Sequence, residues 1–147
     1  MPDSTDQLCT FCKIAASQLT ADVVYEDRDF IAFLDSRPLF PGHVLLCPRE
    51  HYGTLLELPL QLTGPAMLAT QLLANAVEAA VQAEGTFIAI NNRISQAIPH
   101  LHIHVVPRRK GDGLKGFFWP RQNYRDATAR EEVRGAIERE VQRLRAA

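Results

Sequence analysis

Near the middle of this 147-residue chain runs His100-Leu101-His102-Ile103-His104-Val105-Val106, three imidazoles alternating with apolar residues. Successive side chains of a strand point to opposite faces. As a strand, the segment sets all three histidines on one face, each about 6.5 to 7 Å from the last, and turns Leu101, Ile103 and Val105 toward a buried face. Imidazole, with an ordinary pKa of about 6.5, serves near neutral pH as metal ligand, nucleophile or proton donor. The row therefore reads either as a metal clasp or as a site that processes phosphate, with plain core histidines as the third reading. A catalytic clasp requires a carboxylate or a further histidine from another strand. Displacement at phosphorus requires a nucleophile, stabilisation of charge on the equatorial oxygens and a proton for the leaving group.

The elements that must position this row follow from the surrounding pattern. Val23-Val24-Tyr25 and Phe30-Ile31-Ala32-Phe33-Leu34 flank the charged Glu26-Asp27-Arg28-Asp29 and read as a hairpin. Val44-Leu45-Leu46-Cys47 follows the Pro41-Gly42 punctuation and stops at Pro48, as a buried strand does. Thr86 to Asn91 and the histidine strand complete a set of about five strands, the last two antiparallel. Two main helices accompany them. The first, over 65–84, has Pro65 in its first turn, Gly85 just past its end, and Leu68, Leu72, Ala76, Val77, Ala80 and Val81 as its stripe. The second begins at the capping-box pattern Thr128-Ala129-Arg130-Glu131 and repeats Val133, Ile137, Val141 and Leu144 on one face, as a packed surface helix does. Strands grouped around two separated helices, without regular alternation, predict an antiparallel α+β domain.

Length and composition bound the rest. The chain fits one domain over 1–147, and 46% hydrophobic residues suffice for a single core. A formal net charge of -1 gives no general attraction to nucleic acid or anionic membrane, so any anion must be held locally. The one local imbalance is Arg108-Arg109-Lys110 with Lys115 and Arg121, a solvated loop or a phosphate contact. The start, Met1 to Asp6, is acidic and polar with no basic flank followed by an apolar core, and no apolar run approaches the roughly 20 residues of a spanning helix, so a soluble cytoplasmic protein is expected. Cys9 and Cys12 have the spacing of a zinc knuckle, the alternative being two free thiols in a reducing compartment. Cys47, in an apolar strand, behaves as a small buried hydrophobe. The segment from Gly111 to Pro120 joins positive charge to Phe117, Phe118 and Trp119, which suit core or dimer packing or a second base.

Several segments together resemble the histidine triad (HIT) nucleotide hydrolases and transferases. The His-x-His-x-His run at 100–106 is similar to the family signature. Cys9-Thr10-Phe11-Cys12-Lys13-Ile14 resembles the amino-terminal segment, Phe33-Leu34-Asp35-Ser36-Arg37-Pro38 the ribose-binding strand end, and Pro41 to Arg49 the central strand. The likeness runs from about residue 8 to 109, leaving a C-terminal loop and helix over 110–147.

The resemblance implies a HIT-like fold, a two-fold homodimer that joins its sheets, and a purine nucleotide as substrate, with no nucleic acid and no membrane as partner. It makes His102 the nucleophile that forms a covalent nucleotidyl intermediate, His104 a donor to the phosphate oxygens, and His100 a supporting residue or ligand. Asp35 would accept from the ribose hydroxyls, Phe11, Ile14 and Phe33 would enclose the base, Asn91 would contact phosphate or ribose, and His43 would stand near the site. Gln96 keeps a glutamine of the family loop. In bacterial members, Cys9, Cys12, His51 and His100 would hold a structural zinc, and no catalytic metal is required.

One departure is informative: Ala97 stands where some members have a hydroxyl that helps protonate the leaving group, leaving Ser95, Arg93 or the basic loop as substitutes. The substrate is then a nucleoside phosphoramidate or a dinucleoside polyphosphate. A non-catalytic nucleotide sensor or interaction module, and a hydrolase using the triad as metal ligands, are the alternatives.

Overall fold

The computed structural model describes residues 9–115 and 121–147, so the polar start and the aromatic triplet Phe117, Phe118 and Trp119 lie outside the described residues. Contacts group the chain into two compact units, Met1–Asp112 and Gly113–Ala147. The first unit is a five-stranded antiparallel sheet with helices, an α+β architecture as expected. Its strands are β1 (Val23–Glu26), β2 (Phe30–Leu34), β3 (Val44–Pro48), β4 (Gly85–Ala89) and β5 (Ile103–Arg108), in the spatial order β1-β2-β3-β5-β4. The β1–β2 hairpin turns on Asp27, whose carboxylate accepts from the amides of Asp29 and Phe30.

Alternation along the three central strands separates two faces. Phe30, Ala32, Val44, Leu46, Leu101, Ile103 and Val105 pack on one side against helix α2 (Leu60–Val81), forming the larger core. Ile31, Phe33, Leu45 and Cys47 face the other way, where Phe11 of the short helix α1 (Thr10–Ala15) joins them. The register aligns Phe33 with Leu45 and Leu45 with His104, so the second face is a grid with an apolar half on β2 and β3 and an imidazole half on β5.

Several sequence expectations are corrected. Helix α2 spans Leu60–Val81, five residues ahead of the expected start. Pro59 occupies its N-cap, Pro65 sits inside the helix and merely lacks the N–H for one bond, and Gln82 in the left-handed region ends it before Gly85 opens β4. Its buried stripe is Ala66, Ala69, Thr70, Leu73 and Val77, whereas Leu68 and Leu72 are exposed. Among its 22 residues only Glu78 is charged, so no polar face marks which side turns inward.

The histidine strand pairs only from Ile103 onward; ahead of it the Leu101 amide donates to the Tyr52 carbonyl, outside the β3 ladder. Helix α1 was not expected. In the second unit, helix α3 (Ala127–Arg145) is capped by Asp126, whose Oδ1 accepts from the Ala129 amide at 2.8 Å, rather than beginning at Thr128. Its Val133, Ile137, Val141 and Leu144 are exposed rather than packed.

Candidate active site and metal-ligand cluster

Pro41-Gly42 turns the chain into β3, and Gly42 adopts φ +98, a left-handed value that glycine accepts without strain. A Cβ there would approach Val81 Cγ1 at 3.0 Å. The turn delivers His43 onto the same face of the sheet as His104, and both rings join one hydrogen-bonded chain. The Leu39 amide donates to His43 Nδ1 at 3.1 Å, so this nitrogen bears a lone pair and Nε2 bears the hydrogen. His43 Nε2–H therefore donates to His104 Nδ1 at 3.0 Å, which leaves His104 Nε2 as the protonated nitrogen. Burial lowers the His43 pKa; the Asp35 carboxylate, 3.7 Å from Nδ1, opposes the shift, and His102 adds to it. His104 is pushed down to about 4 by burial first and then by His102 and His43. Both rings are neutral at pH 7, and His104 presents an N–H without carrying a charge.

His102 has the opposite tautomer. Its Nδ1 lies 2.7 Å from the His100 carbonyl, which can only accept, so Nδ1 holds the hydrogen and Nε2 holds the lone pair. The His102 and His104 rings lie 4.9 Å apart, centre to centre. One unprotonated nitrogen on His102 and one N–H on His104 form a nucleophile and a donor on adjacent pleats.

A cavity of about 540 Å³ opens over this face, within the usual range for a small-molecule site. Phe11, Ile14, Phe33 and Leu45 line its apolar part, and Asp35, His102 and His104 line its polar part. Phe11 meets Phe33 edge-on at 5.3 Å and His102 at 5.2 Å, so it bridges the two parts. Asp35 accepts from the Arg37 amide through Oδ1. A larger hollow on α3 and a smaller one around Arg28 and Arg49 are surface grooves, and neither is lined by a histidine.

The remaining expected residues lie elsewhere. Asn91 follows β4, half-buried and outside the cavity lining. Gln96 accepts from the Arg93 amide and donates to the Gly53 carbonyl, tying down the loop rather than facing the cavity. From that loop Ala97 and Ile98 reach the lining, whereas Arg93 and Ser95 are exposed, with φ of 71 and 59.

The basic run serves a turn. Arg108 grips Asp112 with two bonds and the Arg109 guanidinium bonds the Val81 carbonyl at the end of α2. Arg108 is six residues from His102, about 20 Å along the strand. Sequence reasoning missed Leu45 and the Leu39 amide. Leu45 was legible, because it alternates with His43 on β3; the Leu39 bond depends on how the turn folds.

A second cluster sits at the other end of the row. Cys9, Cys12, His51 and His100 each offer a ligand atom, and these atoms lie within 4.8 Å of one another. His100 Nδ1 is 3.4 Å from Cys9 Sγ and 3.5 Å from Cys12 Sγ, and His51 Nδ1 is 3.3 Å from Cys12 Sγ. Four N and S donors around a tetrahedral ion stand about 3.5 Å apart, so the set fits a closed metal site. His100 Nε2–H donates to the Pro48 carbonyl at 2.8 Å, which directs the Nδ1 lone pair at the thiols. Cys47 is buried behind them, and burial holds its thiol well above the usual range, so it packs as a hydrophobe.

An antiparallel α+β domain thus sets paired imidazole tautomers against a cavity with an apolar part and a polar part. Comparison with known proteins makes the class specific: residues 16–111 match the HIT domain model, and the chain belongs to the HIT domain family. A HIT-like protein of Mycobacterium tuberculosis is 38% identical over 127 residues, covering 83% of this chain and 88% of its own length. An adenylylsulfatase of Arabidopsis thaliana is 35% identical over 72% of this chain and 55% of its own length. An adenosine 5'-monophosphoramidase of Saccharomyces cerevisiae is 32% identical over 82% of this chain and 75% of its own.

Among solved structures, a Streptococcus mutans protein superposes with a TM-score of 0.83 at 33% identity, covering 96% of this chain and 87% of its own. A zinc-bound histidine triad family protein of Mycobacterium smegmatis gives 0.71 at 34% identity, covering 85% of this chain and 90% of its own. No described helix is long and apolar enough to cross a membrane.

Proposed function

We propose that this chain is a nucleotide hydrolase or nucleotidyl transferase acting at the α-phosphate of a purine nucleotide derivative through a nucleotidyl-His102 intermediate. The observation that carries the reading is the Nδ1–H of His102 on the His100 carbonyl, which leaves Nε2 as the attacking lone pair. The Nε2–phosphorus bond forms as the bond to the leaving group breaks, and the leaving group departs with that electron pair. Water then attacks the same phosphorus, releasing the nucleoside monophosphate and restoring the imidazole. His104 Nε2–H stabilises the equatorial oxygens as negative charge builds on them. Both roles fall to imidazoles, so the reaction calls for no catalytic metal.

Asp35 accepts from the ribose hydroxyls, while Phe11, Ile14 and Phe33 enclose the base by apolar contact. Cys9, Cys12, His51 and His100 hold a structural zinc, and a reducing cytoplasmic setting suits their thiols. The names of the Arabidopsis and yeast relatives support hydrolysis of an adenylyl sulfate or an adenylyl amide. Two-fold pairing is part of the proposal, supported by the uncharged outer face of α2.

The test is an intact-mass spectrum taken within seconds of mixing with adenosine phosphoramidate, adenylyl sulfate or diadenosine polyphosphates, quenched at alkaline pH. An added adenylyl mass that maps to His102 and vanishes in His102→Ala is expected, and the substrate that loads fastest identifies the leaving group. Nucleotide binding without an adduct from any of these would turn the assignment toward a sensor.

A further inference from the structure

His100 takes part in both clusters at once. Its Nδ1 faces the thiols of Cys9 and Cys12, and its backbone carbonyl holds the Nδ1–H of His102. Helix α1 has the same double membership. Cys9 at its N-cap and Cys12 in its first turn belong to the metal-ligand set, while Phe11 and Ile14 line the cavity. The Phe11 ring touches both histidines, lying 5.8 Å from His100 and 5.2 Å from His102. A six-residue helix is too short to be stable by itself, and α1 has no side-chain cap at its start. Phe11, Ile14 and Ala15 pack it on the sheet, the Arg49 guanidinium donates to the Ala15 carbonyl, and the thiols of Cys9 and Cys12 face His51 and His100.

We infer that occupancy of the Cys9, Cys12, His51 and His100 site positions the nucleotide cavity and the nucleophile, with His100 as a positioning residue acting through His102. The inference rests on the proposed zinc and nucleotide sites. An ion bound by Cys9 and Cys12 fixes α1, and with it the Phe11 and Ile14 wall. The same ion fixes the His100 ring, and thereby the carbonyl that selects the tautomer of His102. Two ligands that order the same helix and the same residue bind with positive coupling, and each raises the affinity of the other by one common factor.

The experiment measures that factor in both directions on the full chain, using zinc and AMP as probes. AMP affinity is determined by calorimetry on zinc-loaded and demetallated protein, and zinc affinity by competition with a chromophoric chelator with and without AMP. A gain of about tenfold is expected in each, equal within error, in the usual range for coupled sites. Nitrogen-15 spectra should show His102 as the single Nδ1–H tautomer when zinc is bound and as a tautomer mixture without it. AMP affinity and a His102 spectrum both unchanged by zinc removal would overturn the inference.

If circular dichroism shows the demetallated chain to be unfolded, cobalt-loaded protein decides. AMP should then perturb the thiolate-to-cobalt absorption in the wild type and leave it unmoved in Phe11→Leu. A wild-type band that ignores bound AMP would again overturn the coupling. Zinc-loaded protein that does not bind AMP would instead remove the nucleotide reading on which the inference stands, and a chain without zinc affinity would remove the metal reading.

Discussion

At the scale of single residues, chemistry here is decided by where each imidazole keeps its hydrogen. A carbonyl opposite His102 and an amide opposite His43 are fixed partners, one able only to accept and the other only to donate, and they assign opposite tautomers to neighbouring rings. The depressed His104 pKa has a consequence for pH. A histidine whose folded value lies at about 4 against an unfolded value near 6.5 favours the folded state fully above pH 6.5, and that contribution is lost as pH falls toward 4. The wild type should therefore lose thermal stability on acidification over this window more steeply than His104→Asn. Melting curves from pH 7 to pH 4 check it, and parallel slopes for the two proteins would refute the assignment. Ala97 belongs to this scale too: it lines the cavity with a methyl group and offers no hydroxyl.

At the scale of elements, the site depends on a turn and a short helix more than on the strands. Gly42 holds φ +98 beside Val81, immediately ahead of His43. Gly42→Ala should cost about 2 kcal/mol from the left-handed backbone, with more from the Val81 contact, and it should displace His43. A lowered urea midpoint at unchanged slope is the expected reading; an unchanged midpoint would mean that the turn tolerates a side chain. The strands were legible in the sequence as short apolar runs bounded by charge or by Pro and Gly, and in the histidine row as strict alternation. Helix α2 was legible in kind but not in orientation. Its outer face has Leu60, Leu68 and Leu72 where a surface helix carries charge, so the apolar pattern has no phase to read.

At the scale of the molecule, the same feature argues for a second copy. An uncharged helix face with Leu60, Met67, Leu68 and Leu72 exposed is what a two-fold partner covers. Light scattering should give twice the 16.4 kDa chain mass for the wild type and the single mass for the Leu68→Glu, Leu72→Glu pair. A wild type already at the single mass would remove the dimer from the proposal.

By itself the sequence determined the α+β class, the strand set and the histidine row, because each rests on residue type and short-range spacing, while the members of the two clusters were expected from the family resemblance. What only the tertiary structure decided is how those residues face one another. The tautomers of His102 and His104 follow from a carbonyl two residues away and an amide on another loop, and the grouping of Cys9 with His51 and His100 spans up to 91 positions of chain. Gln96, a candidate by family resemblance, and the basic run, a candidate by its charge, are instead engaged by backbone and carboxylate partners that only folding supplies. Spacing along the chain restricts which faces residues occupy, while hydrogen-bond direction is set by atoms that meet only in three dimensions.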